Sequence, residues 1–152
     1  SAKFRKSKPA TKFLKDLKRY FNGEKVDFRC GIDLRDCSDF EQAVYKTLVA
    51  IPYGRVRTYQ WVAQKAGSPR ASRAVGNALA KNPLPIIIPC HRIIKSDGSL
   101  GNFSAIGGTK LKKKLLEMEN AVPKGFGMAE ERYCVTPYDK KRSSGYPGLP
   151  AL

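Results

Sequence analysis

An eleven-residue stretch, residues 82–92, constrains the possible folds of this chain most; it reads Asn-Pro-Leu-Pro-Ile-Ile-Ile-Pro-Cys-His-Arg. The three consecutive isoleucines at 86–88 predict a short buried strand, because β-branched side chains favour strands. Pro89 ends that strand, since proline cannot donate to a β ladder. We therefore expect Cys90 at the exit of a rigid element, beside His91, the only histidine of the sequence.

Two interpretations of Cys90 are compatible with this local sequence. A thiol reacts as its thiolate, which needs a nearby base or positive charge, and His91 and Arg92 are both close in sequence. Neighbours on a strand point to opposite faces, however, so Cys90 could equally be a small buried hydrophobe beside a hydrogen-bonded core histidine. The complete proline-flanked string and its setting favour a reactive cysteine.

The charge of the chain points to an anionic partner. A formal net charge of +16 on 152 residues exceeds what solubility requires, so DNA, RNA and an acidic membrane surface are candidates. No apolar run approaches the length of a membrane span, and no secretory leader is recognisable. We expect an intracellular protein without a membrane partner, in the nucleus if eukaryotic and in the cytoplasm if prokaryotic.

The four cysteines, Cys30, Cys37, Cys90 and Cys134, are expected to be free thiols. The chain is not rich in cysteine, and it has one histidine and no Cys-x-x-Cys pair. It therefore predicts neither a disulfide framework nor a structural zinc site.

The N-terminal half predicts two amphipathic helices. The first spans residues 11–21 and is ended by Asn22-Gly23, and residues 24–37 show no period and are expected to be a linker. Ser38 and Glu41 form a capping-box pattern, so a second helix should begin at Asp39 and end near Ile51. The predicted buried positions are Phe13, Leu14, Leu17, Tyr20 and Phe21 in the first helix, and Phe40, Val44, Tyr45, Leu48 and Val49 in the second.

Residues 58–81 predict a helix-turn-helix. Thr58 can cap a helix over 59–66, and a second helix can follow over 68–81, with serine as its cap and proline in its first turn. The second helix is rich in small residues, which let a backbone come close either to another helix or to DNA. Arg73 and the global charge favour nucleic acid over simple helix packing.

The C-terminal part predicts a loop, one more helix and a tail. Residues 96–108 are rich in glycine and small polar residues, and could wall a pocket or serve as a plain connector. Thr109 can cap a last helix that runs to Glu119 and ends at Asn120. Residues 121–152 are interrupted by proline and glycine, so we expect an extended or disordered tail.

Taken together, residues 40–119 resemble the O6-alkylguanine-DNA alkyltransferases, DNA-repair proteins that react once. The matching segments are Ile51-Pro52-x-Gly54, Tyr59, Arg73-Ala74-Val75-Gly76, Asn82-Pro83, Ile88-Pro89-Cys90-His91-Arg92, Gly101-Asn102-Phe103-Ser104 and Leu115-Leu116-x-x-Glu119. The resemblance implies a mainly α fold with short strands, an alkyltransferase C-terminal domain of winged or helix-turn-helix type over residues 38–120. Residues 1–37 would be a basic helix and linker remaining from a truncated N-terminal domain, and residues 121–152 a C-terminal tail.

The resemblance also implies catalytic roles. Cys90 would accept the alkyl group, His91 would act as its base through a water, and Glu119 would orient and charge-stabilise His91. Asn82 would brace the active-site turn. Tyr59 would press on the DNA backbone to drive the nucleotide out, and would donate a proton to the leaving guanine. No metal and no cofactor is needed for this chemistry.

The resemblance also implies one group of residues that binds DNA and another that forms the guanine pocket. Arg73 would fill the hole left by the extruded base, on a helix from Ser72 that lies in the minor groove. The DNA-binding set is Arg73, Tyr59, Ser72, Ala74 and Arg92, and the guanine-pocket set is Ile93, Ser104, Phe103, Gly101 and Lys112. The sequence departs from the family pattern at Phe103, where tyrosine is common, and at Ala105-Ile106, which looks like a two-residue insertion.

The implied function is direct reversal of DNA alkylation damage, by base flipping and irreversible one-turnover transfer of the O6-alkyl group of guanine to Cys90. The partner would be double-stranded DNA containing O6-alkylguanine, bound through its minor groove by a monomer. Two alternatives stay open. One is a non-catalytic helix-turn-helix damage sensor or regulator, and the other is a cysteine hydrolase, which would turn over.

Overall fold

The structure is a computed structural model that describes residues 8–121. The chain divides into two compact units between Ile32 and Asp33. Our boundary at residue 37 stays a prediction, and the tail predicted after residue 121 lies outside the described residues. Within residues 8–121, no helix is long and apolar enough to cross a membrane, and no cluster of His, Cys, Asp or Glu is arranged to hold a metal ion.

The first unit is built on helix α1, Lys8–Phe21, which begins almost one turn earlier than predicted. Proline is compatible with this earlier start, because the first helical turn does not use its backbone N–H groups within the helix. The ring of Phe28 lies 5.6 Å from that of Tyr20, so the segment after the helix folds back onto it. The predicted apolar face is only partly buried, since Leu14 and Phe21 are half exposed.

Helix α2, Asp39–Val49, opens the second unit with the predicted capping box. The backbone N–H of Glu41 donates to Ser38 Oγ at 3.2 Å, and the N–H of Ser38 donates to Glu41 Oε2 at 3.0 Å. These bonds satisfy donors that the first helical turn leaves unused. The predicted buried stripe is confirmed in the middle of the helix, but Val49, its last residue, is 36% exposed.

Helices α3, Tyr59–Lys65, and α4, Ser72–Ala80, form the predicted helix-turn-helix. Thr58 caps α3 as predicted, because its Oγ1 accepts from the backbone N–H of Trp61 at 3.1 Å. Gly67 lies between the helices with a φ of +81°, a left-handed conformation that glycine adopts without strain.

The predicted start of α4 at Ser68 is wrong, because residues 68–71 form a turn instead. The backbone N–H of Ala71 donates to the Ser68 carbonyl at 2.9 Å, which places Pro69 inside that turn. Proline is as well suited to the second position of a β-turn as to the first turn of a helix. The local sequence is therefore compatible with both structures, and α4 begins four residues later, at Ser72.

The predicted strand at residues 86–88 is also wrong, because this segment is a buried turn. Ile86 has a φ of +78°, in the left-handed region that a β-branched residue rarely adopts. The backbone N–H of Ile88 donates back to the Leu84 carbonyl at 2.9 Å. The prolines in this stretch have no backbone N–H to donate to a β ladder. The apolar side chains are therefore buried by a turn and not by a strand.

The two strands of the second unit are short and parallel. They are β1, Arg57–Thr58, and β2, Ile93–Ile94, with Arg57 opposite Ile93 and Thr58 opposite Ile94. One 3-10 turn, Cys90–Arg92, leads directly into β2. Because β1 leads directly into α3, the pairing ties the segment that carries Cys90 to the helix-turn-helix.

Helix α5, Gly108–Met118, is the last described helix. The prediction that Thr109 caps it is wrong, because Thr109 lies inside the first turn and Gly107, with a φ of +101°, holds the cap position. A hydrogen bond of 2.9 Å from the Gly108 N–H to the Ala105 carbonyl closes a turn just before the helix. Asn120, with a φ of +53°, ends the helix as predicted.

The Tyr45→Phe variant should lower the free energy of unfolding by about 1 kcal/mol, the usual contribution of one hydrogen bond. Tyr45 is buried in α2, and its hydroxyl donates to the Ala78 carbonyl in α4 at 2.8 Å. Phenylalanine keeps the ring and removes only the donor. Urea unfolding measures the difference, and equal unfolding free energies would show that this link between α2 and α4 contributes nothing.

Candidate active site

Cys90 lies at the start of the 3-10 turn and is 3% exposed. Asn82 braces the segment that leads to it. The side-chain Nδ2 of Asn82 donates to the Ile88 carbonyl at 2.9 Å, and its Oδ1 accepts from the Leu84 N–H at 3.0 Å. One amide group thus bonds to both sides of the turn that presents Cys90.

Glu119 joins His91 and Arg92 in a buried cluster. Its Oε1 lies 2.8 Å from His91 Nε2. Arg92 donates to both carboxylate oxygens, from Nε to Oε2 at 2.9 Å and from Nη2 to Oε1 at 3.0 Å. The Gly54 N–H donates to Oε2 at 3.1 Å, and Arg92 Nη1 donates to the Ile51 carbonyl at 2.7 Å. The turn at residues 51–54 is therefore part of the frame of the site.

These contacts set the charge of each group. Burial alone would raise the pKa of Glu119, but hydrogen bonds from His91 and Arg92 outweigh burial and lower it to about 2. Burial lowers the pKa of His91, although Glu119 opposes that shift. Near neutral pH an ionised Glu119 therefore accepts the Nε2–H of a neutral His91, which leaves Nδ1 as the basic nitrogen of the ring.

The surroundings of the Cys90 thiol set its protonation state as well. Burial raises its pKa, while hydrogen bonds from Asn82 and the local backbone, and the charge of Lys112, offset part of the shift. The resting thiol is therefore protonated near neutral pH. The hydrogen bond from Asn82 and the charge of Lys112 both favour the thiolate form, and His91 is the next residue in the chain.

A pocket opens beside Cys90, between α4 and the loop that begins at residue 101. Phe103 and Ser104, both predicted for the guanine pocket, line it together with Tyr59. Burial raises the pKa of Tyr59, so its hydroxyl remains protonated and can donate. The lining residues are Tyr59, Gly76, Leu79, Ala80, Cys90, Asn102, Phe103 and Ser104.

Three residues predicted for this pocket do not line it. Lys112 is fully buried, its Nζ donates to the Ile93 carbonyl, and the Ile93 side chain lies in the core. Burial lowers the pKa of Lys112 to about 8. Gly101 instead lies against Tyr59, since a Cβ at Gly101 would come within 2.9 Å of the Tyr59 hydroxyl. The predicted contact of these residues with a guanine, which for Ile93 concerns its backbone, stays a prediction.

The prediction that Arg92 contacts DNA does not fit its position. Its side chain is 8% exposed, and all three of its guanidinium nitrogens donate to Glu119 or Ile51. The charge is therefore neutralised inside the protein and is not presented to a phosphate.

The residues of α4 predicted to bind DNA reach the surface. Arg73 is exposed, and Ser72 and Ala74 are half-buried. Arg73 precedes Gly76 by three residues and Ala80 by seven, so these three positions share one face of the helix. Since Gly76 and Ala80 line the pocket, the position of Arg73 is on the pocket side of α4.

Gly76, Leu79 and Ala80 of α4 line the pocket without having been predicted to, whereas Asn102 belongs to the loop that was predicted as a possible pocket wall. A signal existed for these three residues, because residues three and four apart share a helix face. The contribution of the turn at residues 51–54 was missed for another reason: it acts mainly through backbone atoms, which carry no side-chain signature.

Comparison with known proteins shows what this chain is similar to. The model of the family described as 6-O-methylguanine DNA methyltransferase, DNA binding domain, matches residues 39–121. The methylated-DNA–protein-cysteine methyltransferase of Mycobacterium bovis is 46% identical over 105 residues, which cover 69% of this chain and 62% of the relative. The protein of that name from Methanothermobacter thermautotrophicus is 40% identical over 115 residues, covering 75% of this chain and 63% of the relative.

Two solved structures are also similar. The crystal structure of Mycobacterium tuberculosis OGT in complex with DNA matches with a TM-score of 0.67 and 44% identity, over 71% of this chain and 64% of that one. The O6-methylguanine-DNA methyltransferase from Pyrococcus kodakaraensis matches with a TM-score of 0.58 and 31% identity, over 78% and 67%. The chain spans 62% of the length of the Mycobacterium bovis relative. It belongs to the 6-O-methylguanine DNA methyltransferase family, and residues 39–121 are the DNA-binding domain of that family.

Proposed function

We propose that this protein reverses DNA alkylation damage by moving the O6-alkyl group of a guanine onto Cys90. The observation that carries the proposal is the buried Cys90, beside a neutral His91 that is oriented by an ionised Glu119, in the wall of an open pocket. The net charge of +16 and relatives named methylated-DNA–protein-cysteine methyltransferases support DNA as the substrate.

The chemistry follows from the positions of these groups. His91 takes the thiol proton, directly or through a water, and the sulfur of Cys90 attacks the alkyl carbon in line. The S–C bond forms as the C–O6 bond breaks, and the electron pair stays with the guanine, which takes a proton from Tyr59. A proton transfer from His91 to Tyr59 then restores both groups. A thioether has no easy route back to a thiolate, so each molecule reacts once.

The target base must leave the duplex, because its O6-alkyl group is otherwise hidden in the base stack, and extrusion costs about a few kcal/mol. Tyr59 presses on the DNA backbone, and Arg73 fills the space that the base leaves. The small residues of α4, Ser72 and Ala74 among them, allow the helix to approach the minor groove closely. We assign the action to a monomer bound to duplex DNA, inside the cell and in the compartment that holds the DNA.

The stoichiometry of transfer tests this function. The protein is mixed with an excess of duplex DNA that carries one O6-methylguanine with a labelled methyl group. We expect the label on the protein to reach a plateau of one methyl per chain and to remain there as DNA or time increases. Continued formation of demethylated DNA beyond one equivalent would overturn the single-turnover proposal and indicate a hydrolase.

The Arg73→Ala variant should slow transfer from duplex DNA by roughly tenfold to a hundredfold, because about 1–3 kcal/mol of the extrusion cost is no longer offset. Reaction with free O6-methylguanine should be unchanged, since a free base needs no extrusion. Single-turnover rates on the two substrates measure the difference.

Arg70→Ala is the matched control, because Arg70 is also exposed but lies in the turn before α4 and does not line the pocket. It should reduce the duplex rate far less than Arg73→Ala. An equal loss of rate in both variants would indicate a general charge effect. An unchanged duplex rate in Arg73→Ala would contradict the proposal that Arg73 fills the space left by the extruded base.

A further inference from the structure

Ile106 is the most exposed large apolar residue of the part of the chain that the structure describes, at 98%. It lies in the turn closed by the Gly108 N–H and the Ala105 carbonyl, and the chain leaves this turn through Gly107. A short turn of this kind offers its isoleucine no cover from water. An apolar side chain held in this way gains free energy only when a partner covers it.

The place of this turn indicates the partner. Asn102, Phe103 and Ser104 line the pocket beside Cys90, and Ile106 follows Ser104 by two residues. The facing wall is α4, which carries Arg73 on its pocket side. A nucleotide that enters the pocket therefore passes between the helix that carries Arg73 and the loop that carries Ile106.

We propose that Ile106 contacts the substrate DNA, packing against the sugar and base surface that becomes uncovered beside the extruded nucleotide. This inference rests on the proposed function. Removing a base from the stack exposes apolar faces of its neighbours, and proteins that bind the minor groove often place Ile, Leu or Phe against such surfaces. The branched side chain is restricted at χ1, so little conformational freedom is lost on contact.

The charges around the turn suit the same partner. Lys110 lies four residues after Ile106, in the first turn of α5, and is exposed. An ammonium group there can contact a backbone phosphate while Ile106 contacts the sugar and base. Phosphate contacts position a protein on the duplex, and an apolar contact beside them adds affinity that salt does not screen.

The Ile106→Ser variant should transfer the methyl group from duplex DNA about tenfold more slowly at limiting protein, the effect of losing most of one buried isoleucine contact. Its rate with free O6-methylguanine should equal that of the parent protein. Thermal unfolding should also be unchanged, since the side chain makes almost no contact within the protein. Ile106→Leu should restore most of the duplex rate.

Leu14→Ser is the control, since it removes another apolar side chain that is half exposed, in α1. It should leave both rates unchanged. A duplex rate of Ile106→Ser equal to the parent rate would overturn the proposal, and so would an equal loss on the free base.

Affinity separates this proposal from the proposed function. Ile106→Ser is made in a Cys90→Ser background, and binding to the same duplex is measured by fluorescence anisotropy. About tenfold weaker binding than with Cys90→Ser alone supports the DNA contact, and equal binding overturns it. Failure of the parent protein to transfer methyl to either substrate would overturn the proposed function, while the binding comparison would still decide the role of Ile106.

Discussion

The Cys90→Ser variant is expected to transfer no detectable alkyl group while binding duplex DNA with nearly the affinity of the parent protein. A serine hydroxyl ionises far less readily than a thiol and is a much weaker nucleophile toward an alkyl carbon. Serine is close in size to cysteine, so the pocket and the Asn82 brace should remain in place. Single-turnover transfer and binding by fluorescence anisotropy give the two readouts.

Cys30→Ser provides the control for this result. Cys30 is an exposed free thiol, and it should be replaceable with full retention of transfer. Transfer that survives in Cys90→Ser and disappears in Cys30→Ser would move the acceptor away from the site described above. A large loss of DNA affinity in Cys90→Ser would show instead that the substitution disturbs the binding surface.

The Glu119→Gln variant should lose about 3–5 kcal/mol of unfolding free energy, because Arg92 would keep its charge in a buried site without an anionic partner. Transfer should also slow by about 10²- to 10⁴-fold, the range lost when general base catalysis is removed. Glutamine can still accept a hydrogen bond from His91, but it cannot stabilise the imidazolium that forms as the thiol is deprotonated. Urea unfolding and single-turnover transfer measure the two effects separately.

A double variant distinguishes stability from catalysis. Glu119→Gln combined with Arg92→Met removes both buried charges, so most of the lost unfolding free energy should return. The rate of transfer should remain low, because His91 still lacks its carboxylate partner. Recovery of the rate together with stability would mean that Glu119 serves the fold and not the reaction.

The acid dependence of stability has a defined sign at this cluster. The pKa of Glu119 falls from its ordinary 4.5 to about 2 on folding, so its contribution is complete above about pH 4.5 and is lost as the pH falls toward 2. The lowered pKa of His91 acts in the same direction, since the unfolded chain takes up that proton first. Glu119→Gln should make the unfolding free energy depend less on pH in the acid range. Glu117→Gln, which changes a side chain that is 52% exposed, should leave that dependence as in the parent protein.

Those parts of the fold that depend on a few neighbouring residues could be predicted from sequence. The Ser38–Glu41 capping box and the Thr58 cap each satisfy backbone donors within one helical turn, and both are present. The site residues within the stretch 82–92 could be predicted because the order and spacing of that stretch are specific to one family. Sequence also pointed to the pocket loop through Phe103 and Ser104.

The remaining features depend on contacts between distant residues or on turns that the local sequence leaves open. Arg92 looks like a DNA ligand in a basic chain, but Glu119, 27 residues away, and the Ile51 carbonyl, 41 residues away, hold its side chain inside the protein. The isoleucines at 86–88 by themselves favour a strand, and the proline-rich surroundings override that preference in favour of the turn. Ser68-Pro69 is likewise compatible with a helix start and with the turn that actually precedes α4.

The most direct test of the central claim is the intact mass of the protein after reaction with duplex DNA that carries one O6-methylguanine. We predict an increase of one methyl group per chain, located in the peptide that contains Cys90, and no increase with undamaged DNA. An unchanged mass together with tight binding to the damaged duplex would contradict alkyl transfer and indicate a damage sensor. A methyl group on any other residue would contradict the assignment of Cys90 as the acceptor.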